Sequence, residues 1–186
     1  MPRSNREQTL ETERRLRAVA AALFSEHGYA GVSVEQVAAA AGLTRGAVYH
    51  HFSDKRGLFE AVLADAQLSI ARAVEEAAPG DDWRALEAGS VAFLRAASHP
   101  SVSRIVLVDG PAVVGWDAWR QGDAESSGAL LADVLSRLEG LAVDQAAAGA
   151  LLNGAMNESS LWIAGGGDPK AAEDALLRMI RALRSS

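Results

Sequence analysis

Between residues 33 and 55 the sequence places Ser33, Thr44, Arg45, Gly46, Tyr49, His50 and Lys55 among small and apolar neighbours. An arginine fork can bond two acceptors on the edge of one guanine, and a threonine can reach a phosphate or lie against a thymine methyl. Tyrosine and histidine offer polar tips to phosphates. Ser33 and Lys55 stand at expected helix starts, where free backbone amides also favour anions. Gly46 and Ala47 leave the backbone bare enough to approach base edges closely. Gathered on one helix edge, these side chains are expected to recognise a double-stranded DNA operator rather than to make or break bonds. His50 and His51 are adjacent and so face different ways on a helix, whereas a metal pair would need a spacing of three or four; no metal site is expected.

Catalytic patterns are missing. There is no phosphate loop ending in Gly-Lys-Ser/Thr and no Gly-x-Ser-x-Gly, and Gly165-Gly166-Gly167 lies between expected helices rather than after a strand. The chain has four histidines and no cysteine, which excludes disulfides, thiolate metal sites and cysteine nucleophiles. It is therefore read as non-enzymatic, with no catalytic residues and no cofactor.

The elements that must hold the polar edge in place are helices. Leu16, Val19, Ala20, Leu23 and Phe24 share one face of a helix over residues 9–27, which Gly28 stops. Ser33 with Gln36 forms a capping box for a second helix, whose buried stripe is Val34, Val37, Ala38 and Ala41. Gly42 supplies the positive φ of a tight turn, and Thr44 caps a third helix through Phe52, anchored by Val48. Small Ala38 sits where the two short helices cross. Ser53 or Asp54 then caps a long fourth helix to residue 78, with Leu58, Phe59, Val62, Leu63, Ala66 and Ile70 on its apolar face. Pro79-Gly80-Asp81-Asp82 breaks the chain before a helix over 83–97. The apolar run 102–108 reads as a short buried helix, although its composition also suits a strand. Asp109 is expected to cap a segment opened by Pro111; further helices are expected over 125–138, 144–164 and 169–183.

Charge is unevenly distributed. The chain of 186 residues carries a net −6, yet residues 1–60 hold eight Lys and Arg against seven Asp and Glu, with Arg3, Arg6, Arg14, Arg15 and Arg17 near the start. The acidic excess belongs to the remainder. The polar N-terminus does not read as a signal peptide and no apolar run approaches a membrane span, so the expectation is a soluble, cytoplasmic protein without membrane contact.

The stretch FSEHGYAGVSVEQVAAAAGLTRGAVYHHFSDKRGLF resembles the DNA-binding domain of the TetR (tetracycline-repressor-like) family, from about Leu16 to Val62. The most specific pieces are Phe24 with Gly28-Tyr29, Ser33, Val37-Ala38, Ala41-Gly42-Leu43, and Val48-Tyr49-His50-His51-Phe52 followed by Lys55. The resemblance implies an all-α homodimer, with a helix-turn-helix domain over residues 1–60 joined through a long helix to an effector-binding and dimerisation domain over 61–186. It implies a repressor released from a palindromic operator by a small molecule, and pairing through the last two long helices. Gly149, Ala150, Gly154, Ala155, Ala171, Ala172 and Ala175, with Leu176, Leu177, Ile180 and Leu183, suit such a seam. For an unidentified small-molecule effector the residues themselves offer Trp116, Trp119, Met156 and Trp162 as large apolar contacts. Asn153 and Asn157 could orient it by hydrogen bonds, and Asp109 could balance a cation. A helical adaptor that binds only protein, or a regulator without an effector, are the alternatives.

Overall fold

The computed structural model describes residues 5–80 and 82–185. Arg3 of the N-terminal arginines and Asp81 of the 79–82 break lie outside the described residues. Eleven α-helices and one π-helical stretch follow in order: α1 Asn5–Gly31, α2 Val34–Ala40, α3 Arg45–His51, α4 Lys55–Ala77, α5 Trp83–Ala97, α6 Pro100–Ser103, the π-helical Arg104–Asp109, α7 Gly110–Val114, α8 Trp116–Glu125, α9 Ser127–Arg137, α10 Gln145–Ala164 and α11 Pro169–Ala182. Among the described residues the architecture is all-helical apart from one isolated antiparallel bridge, Leu141 to Arg184. None of the helices is long and apolar enough to cross a membrane.

The starts of the helices are where local chemistry puts them. Ser33 accepts from Gln36 N (3.2 Å) while Gln36 Oε1 accepts from Ser33 N (2.7 Å), a complete capping box on α2. Thr44 accepts from Ala47 N (3.2 Å) on α3, and Asp54 from Gly57 N (2.8 Å) on α4. Gly42, at φ 63°, makes the turn between α2 and α3. The stripes of these helices converge on one core: Leu16, Ala20, Phe24, Val37, Ala38, Val48, Leu58 and Phe59 are all buried. Phe59 sits edge-on to Phe24 (5.2 Å between centroids) and to Tyr29 (5.1 Å). That core is continuous with the core of the second half, because α4 runs through both and packs along α5.

Some expectations hold and others are corrected. Gly28 interrupts the first helix as expected, at φ 73°, ψ 165°, a conformation that glycine alone takes readily, and a short helical turn resumes beyond it to Gly31. The apolar run after Pro100 is helical, but in the wider π register over Arg104–Asp109. The helix expected over 125–138 is α9, and a further helix, α8, stands before it; the two part where Ser126 leaves helical geometry and its hydroxyl donates to the Gly122 carbonyl (2.7 Å). Asp109 caps nothing. Its backbone is already helical because α7 follows the π stretch without a break, so there is no fresh helix start for its side chain to serve.

Candidate nucleic-acid interface

The third helix is short, and its burial is one-sided. Val48 holds it on the core at 0% exposure, while Thr44, Arg45, Gly46, Tyr49 and His50 are exposed and His51 is half-buried beside Phe52. Seven residues make about two helical turns, so one apolar anchor per turn and one exposed edge is the expected division. Caps leave chemistry to spare. A hydroxyl has one donor and two acceptor sites, and Ser33 and Thr44 use one acceptor each in capping. Both hydroxyl protons remain available for a phosphate.

Arg45 is not idle in the free protein. Its Nη1 lies 3.0 Å from Glu35 of α2, its Nη2 donates to Tyr49 Oη (3.2 Å), and the guanidinium stands 5.2 Å from the centre of the Tyr49 ring. The Tyr49 hydrogen bond first, then the Glu35 charge, hold its pKa above the ordinary arginine value. The pair is exposed on both sides, 62% and 55% of each side chain, so these contacts aim the fork without committing it. Lys55 rests its ammonium 4.2 Å over the Tyr29 ring at the N-terminus of α4, beside the amides capped by Asp54. Burial raises the Tyr29 phenol pKa.

Gly46 carries a separate signal. A Cβ there would meet only Thr44 Oγ1, at 3.8 Å. Nothing within the chain therefore needs a glycine in this helix, where it is intrinsically unfavourable. A surface that must be approached closely from outside does need one.

Comparison with known proteins agrees with this geometry. Residues 16–62 match the family described as bacterial regulatory proteins, tetR family, and residues 83–186 match the tetracyclin repressor-like C-terminal domain. The chain belongs to the TetR family. A TetR-family transcriptional regulator from Pectobacterium atrosepticum superposes with TM-score 0.73 at 33% identity, covering 99% of each chain. The transcriptional repressor AcnR of Corynebacterium glutamicum is 39% identical over 75 residues, 40% of this chain and 36% of that protein. The chain thus spans only about a third of the length of the curated relatives it matches. The fatty acid degradation regulator FadR of Bacillus halodurans shares the fold, with TM-score 0.73 at 15% identity over 97% and 96% of the two chains.

In this TetR-family chain the seven residues offered for a ligand do not converge. Trp116 is exposed and stacks at 5.0 Å on Trp119, which is buried and donates its indole N–H to the Val106 carbonyl (2.6 Å). Asn153 and Asn157 hydrogen-bond to each other (2.9 Å); Asn153 also accepts from Arg120 (2.7 Å) and donates to the buried Asp123 (2.9 Å). Asn153 is thus occupied in a polar network linking α8 and α10, which Asn157 joins through a single amide N–H. Trp162 lies on the surface against Gly167, where any Cβ would strike its ring. Asp109 accepts from Tyr29 N (2.8 Å) and lies 3.8 Å from Arg104, whose guanidinium packs on Gly28 and donates to the Glu26 carbonyl (3.4 Å). It clamps the end of α1 to the π-helical stretch rather than facing a cleft. Met156 borders a partly open cavity between α4, α5, α9 and α10, and Asn153 lines a separate surface hollow between α8, α9 and α10. The residues that sequence reasoning missed are Glu35 and, apart from Met156, the lining of that cavity; of these Glu35, ten positions before Arg45, had a local signal.

The expected seam also changes composition. Ala172, Leu176 and Ile180 are buried inside the protomer, where α11 packs on α5 and α10. The outward apolar residues of the last two helices are Leu151 at 71% exposure, Trp162 and Met179, with Ala150, Gly154, Ala171 and Ala175 exposed beside them.

Proposed function

We propose that this chain is a cytoplasmic transcriptional repressor that binds a palindromic DNA operator as a homodimer and is released by a small molecule. The observation that carries the DNA reading is the outward edge of α3, with Arg45 and Tyr49 exposed over a glycine that the chain itself does not need. Residues 1–60 serve as the DNA-binding unit and 61–186 as the sensing and pairing unit. Arg45 reads a base edge, Thr44, Tyr49 and His50 flank it, and Ser33 and Lys55 hold phosphates at the starts of α2 and α4. Pairing through α10 and α11 is supported by the exposed Leu151, Trp162 and Met179, which a solitary chain would leave in water.

The repressor's response is one of linkage. The helix α4 carries Lys55 at one end and lines the cavity bordered by Met156 with Val74 at the other, so one helical rod about 35 Å long touches both. DNA favours one separation of the two heads; an effector favours another, and each weakens the other by the same factor. The test is selection of bound duplexes from random DNA followed by footprinting. Two symmetric half-sites protected by a dimer are expected. Protection of a lone half-site by a monomer, or no sequence preference at all, overturns the reading and leaves the protein-binding adaptor.

A further inference from the structure

The ends of α4 and α5 meet α9 and α10 around a cavity of about 200 Å³. Leu86, Phe93, Leu131, Val134 and Met156 make its apolar wall. Gly89 lets the end of α4 close over one side, since a Cβ there would stand 3.3 Å from both Ala78 and Val74. One group in this wall is out of place. Ser90 is 3% exposed and lines the cavity, and its hydroxyl has no hydrogen-bond partner among the described residues. Its donor and acceptor sites are therefore open to whatever enters the space. The remaining polar lining is Ser127, 3.4 Å from Asp123, and two exposed carboxylates, Glu75 and Asp133, the second of them paired with Arg137, which leaves Glu75 as the carboxylate open to a cation. Among the described residues no Lys, Arg or His lines the cavity.

From this we infer that the cavity is the effector site and that it takes a compact apolar amine, its body among the aliphatic side chains, a hydrogen bond to Ser90 and its ammonium toward Glu75. The size follows from the volume: an apolar cavity of about 150 Å³ holds benzene, so this one holds a single ring with a short arm. The charge follows from the lining, which would repel a carboxylate and attract a cation. This inference rests on the repressor reading for its biological meaning but not for its test.

The test is calorimetric titration of the full-length protein without DNA, using three molecules with similar apolar bodies: phenethylamine, 2-phenylethanol and 3-phenylpropanoate. The amine is expected to bind about five- to tenfold more tightly than the alcohol, a difference of roughly one ionic hydrogen bond at a partly exposed site. The carboxylate is expected not to bind. Ser90→Ala should weaken both the amine and the alcohol several-fold, and Glu75→Gln should erase the amine's advantage while leaving the alcohol unchanged. Equal or tighter binding of the carboxylate, or no binding of the amine at millimolar concentration, overturns the assignment. So does amine binding that neither substitution alters, which would place the molecule elsewhere. Operator release by the amine is then read separately. Binding without release would sink the linkage to DNA and keep the site, whereas intact operator binding without any amine affinity would sink the site and keep the regulator.

Discussion

Replacing Arg45 with alanine tests the DNA edge most directly, and the free structure sets the size of the effect. A bidentate arginine–guanine contact discriminates by about 1–3 kcal/mol. To make it, Arg45 must leave Glu35 and Tyr49, a pair of exposed contacts in which such ion pairs hold only about 0.2–1 kcal/mol. Arg45→Ala therefore loses about 1–2 kcal/mol per half-site, and about 2–4 kcal/mol for two symmetric half-sites, or roughly 30- to 900-fold in affinity. The partner substitution has the opposite sign. Glu35→Gln frees the fork and removes a negative charge from beside the duplex, so binding should tighten by roughly two- to thirtyfold at low salt, with the gain shrinking as salt screens it. Fluorescence anisotropy with operator and scrambled duplexes, between 50 and 200 mM salt in order-of-magnitude steps of affinity, separates a base contact from a phosphate contact. A base contact costs selectivity and barely alters the salt slope; a phosphate contact lowers the slope by about two for a dimer and spares selectivity. Arg45→Ala binding within twofold of the parent on both duplexes would refute the role given to this residue, and weaker binding by Glu35→Gln would refute the competition between Glu35 and DNA.

Other perturbations probe the remaining parts. Gly46→Ala should stabilise α3 by about 0.5–1 kcal/mol in denaturant unfolding yet weaken operator binding, because the new methyl meets nothing inside the chain and stands where the duplex approaches; unchanged DNA affinity would show that close approach is not required. Gly28→Ala should lower the melting temperature by about 4–10 °C, from a backbone strain of roughly 1–3 kcal/mol and the collision with Arg104 at 2.7 Å; circular dichroism melting within about 1 °C of the parent would contradict it. Leu151→Glu should yield monomers in sedimentation at micromolar concentration while leaving the helical content intact, since Leu151 is 71% exposed within the protomer; a dimer that persists places the seam elsewhere. The Arg181 hydrogen bond holds the Glu87 pKa below its usual range and ties α11 to α5. Because the folded-state pKa is lowered, that stabilisation is present above the ordinary glutamate range and fades as pH falls through the lowered value. Glu87→Gln should thus destabilise by under about 1 kcal/mol at neutral pH, and the difference from the parent should shrink steadily in urea titrations carried into acid below the ordinary glutamate range; a difference that grows with acid would reverse the sign.

The candidate DNA edge was legible in the sequence as a local structure because everything that builds it acts over a few residues. Ser33 with Gln36, Thr44 with Ala47 and Asp54 with Gly57 are each three residues apart, and Gly42 sets its turn by its own φ. Such contacts form wherever those residues occur in that order, so the helix-turn-helix could be read before any packing was known. The second half was legible only as helices. Asp109 reads locally as a cap, but its partner is the amide of Tyr29, eighty positions away, and Asn153 reads as a ligand contact although it bonds Asp123 thirty positions away. Leu176 and Leu151 are both apolar residues on amphipathic helices; only the placement of α5 buries the first and leaves the second in solvent. The cavity at Ser90 is assembled from four helices and has no segment of its own. Periodicity tells which face of a helix is apolar, but not which neighbour will cover it, because that depends on closing loops of tens of residues whose ends carry no mark of where they meet.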